Sequence, residues 1–297
     1  MTPAEATAAR AAYRAIVGPW AEDRLARQRT LTKHPVRDFL FEYYNFKPSQ
    51  LLRWSPGLGV TLEGVAAAAT DWPADFVGTP AGATLDPTRF SPQRHRYLRW
   101  ATDYLRAVGE REPFYGCFGL HEWAMVYDTP EVRHGRVPLR LGHAGTDAHV
   151  ESTPLRCTHY DAYRFFAPTA VPRNRTPLTR ESTETHDQPG CVHVTMDLYK
   201  FAFKLAPFCA SSVVAAAFAL ACRARELDMR ASPYDMIAYG LEPLAIETKD
   251  GREEYVRAQR ELTATAAGVR ARLLGEYAKL AAAVASPGEP PAGACGS

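Results

Sequence analysis

Val192-His193-Val194-Thr195-Met196-Asp197-Leu198-Tyr199-Lys200-Phe201-Ala202-Phe203-Lys204-Leu205, followed beyond Pro207 by Ser211 to Leu227, decides the fold class. Apolar residues surround most of each run, and the spacing predicts two buried helices separated at Pro207. A long terminal helix follows from Arg252 to about Ala282, with alternating charges on its outer face. Towards the N-terminus, Ser91 to Val108 has the amphipathic period, with Ser91-Pro92 as cap and first turn. Phe114 to Tyr127 is read as a further helix.

Residues 1–30 form an Ala- and Arg-rich helical lead-in, broken or kinked at Val17-Gly18-Pro19. Pro35 to Trp54 holds an aromatic cluster, and Pro48-Ser49 starts a short helix that ends at Pro56-Gly57. Between Arg136 and Pro189 the density of Pro, Thr, Arg and His predicts a few short strands and long ordered loops. The expectation is a mainly α protein, a single compact helical domain over 1–285, with a disordered tail at 286–297 rich in Pro, Gly and Ala.

A formal net charge of +2 excludes a whole-protein field that would draw the chain onto nucleic acid, so a nucleic-acid site must be a local patch. Arg164, Arg173, Arg175 and Arg180 form the one evident basic cluster. The most apolar stretch, Ser211 to Cys222, is too short to span a bilayer, and Met1 to Glu5 does not open a secretory signal. A cytoplasmic protein without a membrane partner is expected, its six cysteines reduced; oligomeric state is left open.

No P-loop, GxGxxG, HExxH, GxSxG or zinc-finger spacing is present, so chemistry must be sought where costly polar groups enter core-like segments. His121 and Glu122 sit side by side in Gly116 to Trp123; neighbours on a helix diverge by about 100°, so one alone points into a given pocket. The structural alternative is a histidine bonded to a carbonyl and a glutamate in an internal ion pair. In Leu155 to Phe165, a strand would place Cys157, His159, Asp161 and Tyr163 on one face, whereas a helix would align Cys157, Asp161 and Arg164. His193, Asp197, Lys200 and Lys204 share a helical face, on which Asp197 could orient His193 or act as a base. Glu226 to Asp235 is read as a capping turn, with Ser232-Pro233 opening another helix.

Several stretches carry a resemblance: His34-Pro35-Val36 with Asp38 to Phe41, Cys117 to Tyr127, Leu141-Gly142, Gly145-Thr146-Asp147, Cys157 with His159 and Asp161, Gln188 to Cys191, Met196 to Lys200, and Leu227 to Asp235. Together they resemble a family of bacterial proteins labelled 3-methyladenine DNA glycosylase, over most of the chain from about His34. The resemblance implies a DNA-repair N-glycosylase that extrudes an alkylated purine and hydrolyses its glycosidic bond without a cofactor, with damaged DNA as partner. Asp197 or Asp161 would be the carboxylate, His193 or His159 its neighbour, and Tyr160, Tyr163, Tyr199 or Trp123 the stacking surface, with Lys200 and Arg164 also at the substrate. The alternative is a metal-dependent hydrolase or oxygenase acting on a small molecule. In it His121, Glu122, His159, Asp161, His193 and Asp197 converge on zinc, iron or manganese.

Overall fold

The computed structural model describes residues 1–130 and 137–285. Helix occupies 58% of the chain and strand 5%, a mainly α fold. The tail expected at 286–297, with Cys295, lies outside the described residues.

The first helix, α1 (Pro3–Arg29), opens with a capping box in which the Thr2 hydroxyl accepts from the Glu5 amide and the Glu5 carboxylate from the Thr2 amide. It runs through Pro19 without ending, contrary to the expected break. Val17, Gly18 and Ala21 are buried there, and packing of that small-residue face offsets the lost backbone bond. Two short helices, α2 (Phe39–Tyr43) and α3 (Pro48–Leu51), hold the aromatic cluster. Asp38, just before α2, is buried and accepts hydrogen bonds from Arg24 and Arg27 of α1.

Next comes a small antiparallel sheet of β1 (Thr61–Glu63), β2 (Phe76–Thr79) and β3 (Gly82–Leu85), in spatial order β1-β3-β2. Gly82 pairs with Glu63 where a Cβ would lie 1.9 Å from the Leu62 carbonyl oxygen, so only glycine lets the strands approach. The strands thus fall before the middle third. Between 137 and 189 the chain has instead only isolated bridges, Leu139 with Tyr234 and Leu155 with Asn174, and α6 (Gly142–Ser152) among its helices.

The amphipathic helix α4 (His95–Glu110) lies where its period puts it, after a 3₁₀ turn at Pro92–Arg94. By contrast, the helix expected over Phe114–Tyr127 contracts to α5 (Leu120–Ala124). Phe118 and Gly119 both adopt positive φ, 50° and 75°, which a continuous helix cannot include. Two further short helices, α7 (Tyr160–Tyr163) and α8 (Thr183–His186), punctuate the loops.

At the centre stands α9 (Val192–Lys204), buried on nearly every side from Val192 to Tyr199. It packs against α10 (Ser211–Arg230) and α11 (Lys249–Ala285), the long terminal helix. The linkage between α9 and α10 is tied down at Ser55, whose hydroxyl donates to the Pro207 carbonyl and whose amide donates to Ser211 Oγ. Ser232-Pro233 does not open a helix; Ser232 Oγ caps the end of α10 by donating to the Met229 carbonyl, and Arg140 donates its backbone amide to the Pro233 carbonyl. One apolar cluster reaches from Tyr13 of α1 to Leu280 of α11. Among the described residues no helix is long and apolar enough to cross a membrane.

Candidate metal centre

The left-handed pair Phe118-Gly119 turns the chain sharply before α5, and a Cβ on Gly119 would press to 3.2 Å from Ala231. The turn drives His121 and Glu122 together into the core, where their different azimuths give them different partners. Glu122 Oε1 accepts from Arg225 Nη1 at 2.7 Å, the internal ion pair that is the structural alternative for this residue. His121 instead turns its Nε2 to within 2.8 Å of Asp228 Oδ1. Arg225 and Asp228 come one helical turn apart on α10, and Arg225 Nη1 also donates to Asp228 Oδ2 at 2.8 Å.

The third member is His193, in the first turn of α9, whose ring stands 4.5 Å from that of His121 at 75°. One ligand atom from each of His121, His193 and Asp228 lies within 4.8 Å of the others, and all three residues are buried. His121 Nε2 and Asp228 Oδ1 form a buried ion pair, whereas His193 Nδ1 makes no hydrogen bond. Buried polar atoms are expected to be paired. One ligand atom from each of the three residues lies close enough to the others for a single cation to draw them together. Two imidazoles and a carboxylate suit zinc, iron or manganese.

The charges respond to one another. Burial opposes the proton on His121, but Asp228 and the Cys117 thiol outweigh it and hold the imidazole well above its ordinary range. Burial, reinforced by the positive charge of His121, pushes His193 well below that range. Asp228 is also buried, which favours its neutral form, yet His121 draws its carboxyl below the usual value. On the far side of its ring, His121 Nδ1 lies 3.6 Å from Cys117 Sγ.

His159 flanks the group rather than joining it. Its ring stacks on His193 at 5.3 Å and 14°, and its Nδ1 meets Asp187 Oδ1 at 2.9 Å. Tyr104 of α4 donates its hydroxyl to the other oxygen of Asp187, so a tyrosine, an aspartate and a histidine form one buried chain. Nε2 of His159 makes no hydrogen bond. Asp187 outweighs the burial that would neutralise His159 and raises its pKa.

Other expected site residues go elsewhere. Asp161 pairs with Arg164 at 3.0 Å, its side chain 41% exposed, because Leu155–Phe165 is neither a strand nor a long helix but an extended piece running into α7. Asp197 shares the face of His193 but does not orient it: one oxygen accepts from Tyr44 at 2.8 Å and the other from Lys200. Trp123 and Tyr199 are wholly enclosed, Trp123 Nε1 donating to the Ala231 carbonyl, so neither offers a face to an incoming base. Tyr163 is buried against Phe166, whereas Tyr160 is half-buried.

Asp228, Arg225, Asp187 and Tyr104 were not among the expected site residues. The signal for two of them was present: Arg225 and Asp228 are charges one turn apart in a run that otherwise reads as core. Five described cysteines are free thiols, with Cys157 Sγ donating to the His159 carbonyl. Compared with known proteins, the chain matches no family model, no curated protein and no solved structure.

Proposed function

We propose that the protein is a metal-dependent hydrolase acting on a small molecule, with zinc, iron or manganese held by His121, His193 and Asp228. The observation that carries this reading is the convergence of one ligand atom each from His121, His193 and Asp228 to within 4.8 Å in a fully buried setting, with His193 Nδ1 making no hydrogen bond. A divalent ion with three protein ligands keeps a position for water and lowers its pKa towards neutrality. The chain's own residues supply the proton traffic. Ionised Asp187 can only accept, so in neutral His159 the proton sits on Nδ1 and Nε2 offers a lone pair as base. Tyr104 fixes Asp187 and so the plane of the ring. This chain of acid–base groups favours hydrolysis over oxygen chemistry, for which the same ligand set is also suited.

The test is elemental analysis of protein purified without an affinity metal, together with His121→Ala and Asp228→Ala variants. About one equivalent of metal in the native protein, lost in both variants while a folded circular dichroism spectrum persists, is the expected result. A folded native protein that neither retains nor takes up any of the three metals would sink the proposal. The glycosylase reading has its own assay on the same preparation. Release of free base from alkylated DNA by metal-free protein, lost in Asp197→Asn, would replace the hydrolase reading with it.

A further inference from the structure

A small cavity borders the metal group, with two of the three ligand residues, His121 and His193, on its wall. Among the described residues that wall also carries three thiols, two amides and the side chains of Thr158 and Tyr255, but no carboxylate. Its free space is about 10 Å³, room for one water and nothing larger.

Gln259 reaches this cavity from α11 and is 2% exposed. Its Nε2 donates to the Gly190 carbonyl at 2.6 Å. A carbonyl can meet only the NH₂ end of an amide, so that bond fixes which way the side chain is turned. Oε1 is left as a buried acceptor that makes no hydrogen bond. Such an atom is costly unless a donor meets it.

The loop that holds Gln259 is also the one that presents His193. Gln188 clamps it to Phe114 in both directions, Oε1 accepting from the Phe114 amide at 2.7 Å and Nε2 donating to the Phe114 carbonyl at 3.1 Å. A Cβ at Gly190 would lie 2.7 Å from the Phe114 carbonyl oxygen, so glycine is what lets the two segments pass so closely. Cys191 then opens α9, with His193 in its first turn. One clamp therefore sets both a metal ligand and the unpartnered acceptor.

Chemistry names the occupant. Gln259 Oε1 can only accept, so the molecule opposite it must donate, and the space limits that molecule to water. An ion with three protein ligands keeps a position for water and makes its O–H a stronger donor. A neutral amide takes that hydrogen bond without taking the proton, so it orients the water and leaves its ionisation to other groups.

We infer that this cavity seats the metal-bound water and that Gln259 is its positioning residue, accepting one O–H on Oε1. The inference rests on the metal-dependent reading and adds to it the side of the metal on which the reactive water stands.

The experiment is a set of crystal structures of the zinc-loaded native protein, Gln259→Met and Thr263→Val, with zinc content measured on the same samples. In the native protein one water should lie on the zinc and within hydrogen-bond distance of Gln259 Oε1. Gln259→Met keeps the length of the side chain but removes the acceptor, so zinc should stay on its three ligands while the water is lost from that position. Thr263 Oγ1 donates to the Pro189 carbonyl at 3.4 Å. Thr263→Val thus loosens the same loop without touching the acceptor, and the water should remain. A native protein that holds none of zinc, iron or manganese would overturn the metal reading and this inference together. Zinc in place with no water in the cavity, or with a water that bonds Gln259 but stands off the zinc, would overturn the inference alone. So would a water unmoved in Gln259→Met, or lost equally in Thr263→Val. Should Gln259→Met not fold, the native structure still decides where the water sits.

Discussion

His159 Nδ1 lies 2.9 Å from Asp187 Oδ1, and the opposite ring nitrogen of His159 bonds to nothing. The aspartate thus does two things: it selects the tautomer and it holds the imidazole pKa up against burial. Asp187→Asn keeps the shape but removes the charge. The raised value of His159 means its contribution to stability is fully present below about pH 6.5, its unfolded value, and is lost as pH rises through the folded value. Asp187→Asn should therefore destabilise the protein more at pH 6 than at pH 9, and the His159 ring proton signal should titrate at lower pH in nuclear magnetic resonance. Hydrolysis should fall by about 10²–10⁴-fold. An unmoved His159 titration would disprove the coupling.

Arg225 Nη1 donates to two buried carboxylates, Glu122 and Asp228. Arg225→Met leaves Glu122 and Asp228 charged in the core without it, at a cost of about 3–5 kcal/mol. Urea denaturation should show the loss, and the double variant Arg225→Met with Glu122→Gln should recover part of it. If the two changes simply add, Glu122 and Arg225 are not coupled, whatever their distance.

The central helices were legible because burial on all sides leaves an unbroken apolar run, and α4 because half-burial leaves a period. His121 and His193 were legible as costly groups in apolar surroundings. Asp228 was seen but assigned to a cap, since it stands near the end of its helix and only the approach of α5 gives it a different partner. The link between His159 and Asp187 spans 28 residues through irregular chain, where no period relates one position to another. The shortened α5 depends on a left-handed Phe118, a conformation that a bulky residue adopts only when tertiary packing demands it. The strands at Thr61–Leu85 went unrecognised because each has at most four residues, too few for alternation to register.

Metal uptake should be linked to protons in a definite sense. In metal-free protein Asp228 raises the pKa of His121 and favours its charged form, whereas burial lowers that of His193 and favours the neutral one. A metal must displace the His121 proton, so binding should release about one proton at pH 7 and tighten by up to about tenfold per pH unit below the His121 value. Calorimetry in buffers of different ionisation enthalpy counts that proton. Zero release would mean that His121 is not a ligand or is neutral beforehand.

Gly251 sits in the first turn of α11, its amide donating to the Thr248 hydroxyl. In an ordinary helix interior glycine to alanine stabilises by about 0.5–1 kcal/mol, because alanine has less backbone entropy to lose. Gly268 and Gly275, farther along the same helix, have open space where a Cβ would go, so alanine at either should follow that rule. At Gly251 the added carbon would lie 2.0 Å from the Ala245 carbonyl oxygen and 2.4 Å from its carbon. Backbone atoms cannot rotate aside as a side chain can, so the helix must withdraw from the segment before it. Leu244 and Ile246, buried in that segment, would lose their packing as it moves. Gly251→Ala should therefore cost about 2–3 kcal/mol, opposite in sign to Gly268→Ala. Urea midpoints of the two variants measured side by side decide it: equal stabilisation would show that α11 does not start against Ala245 in solution.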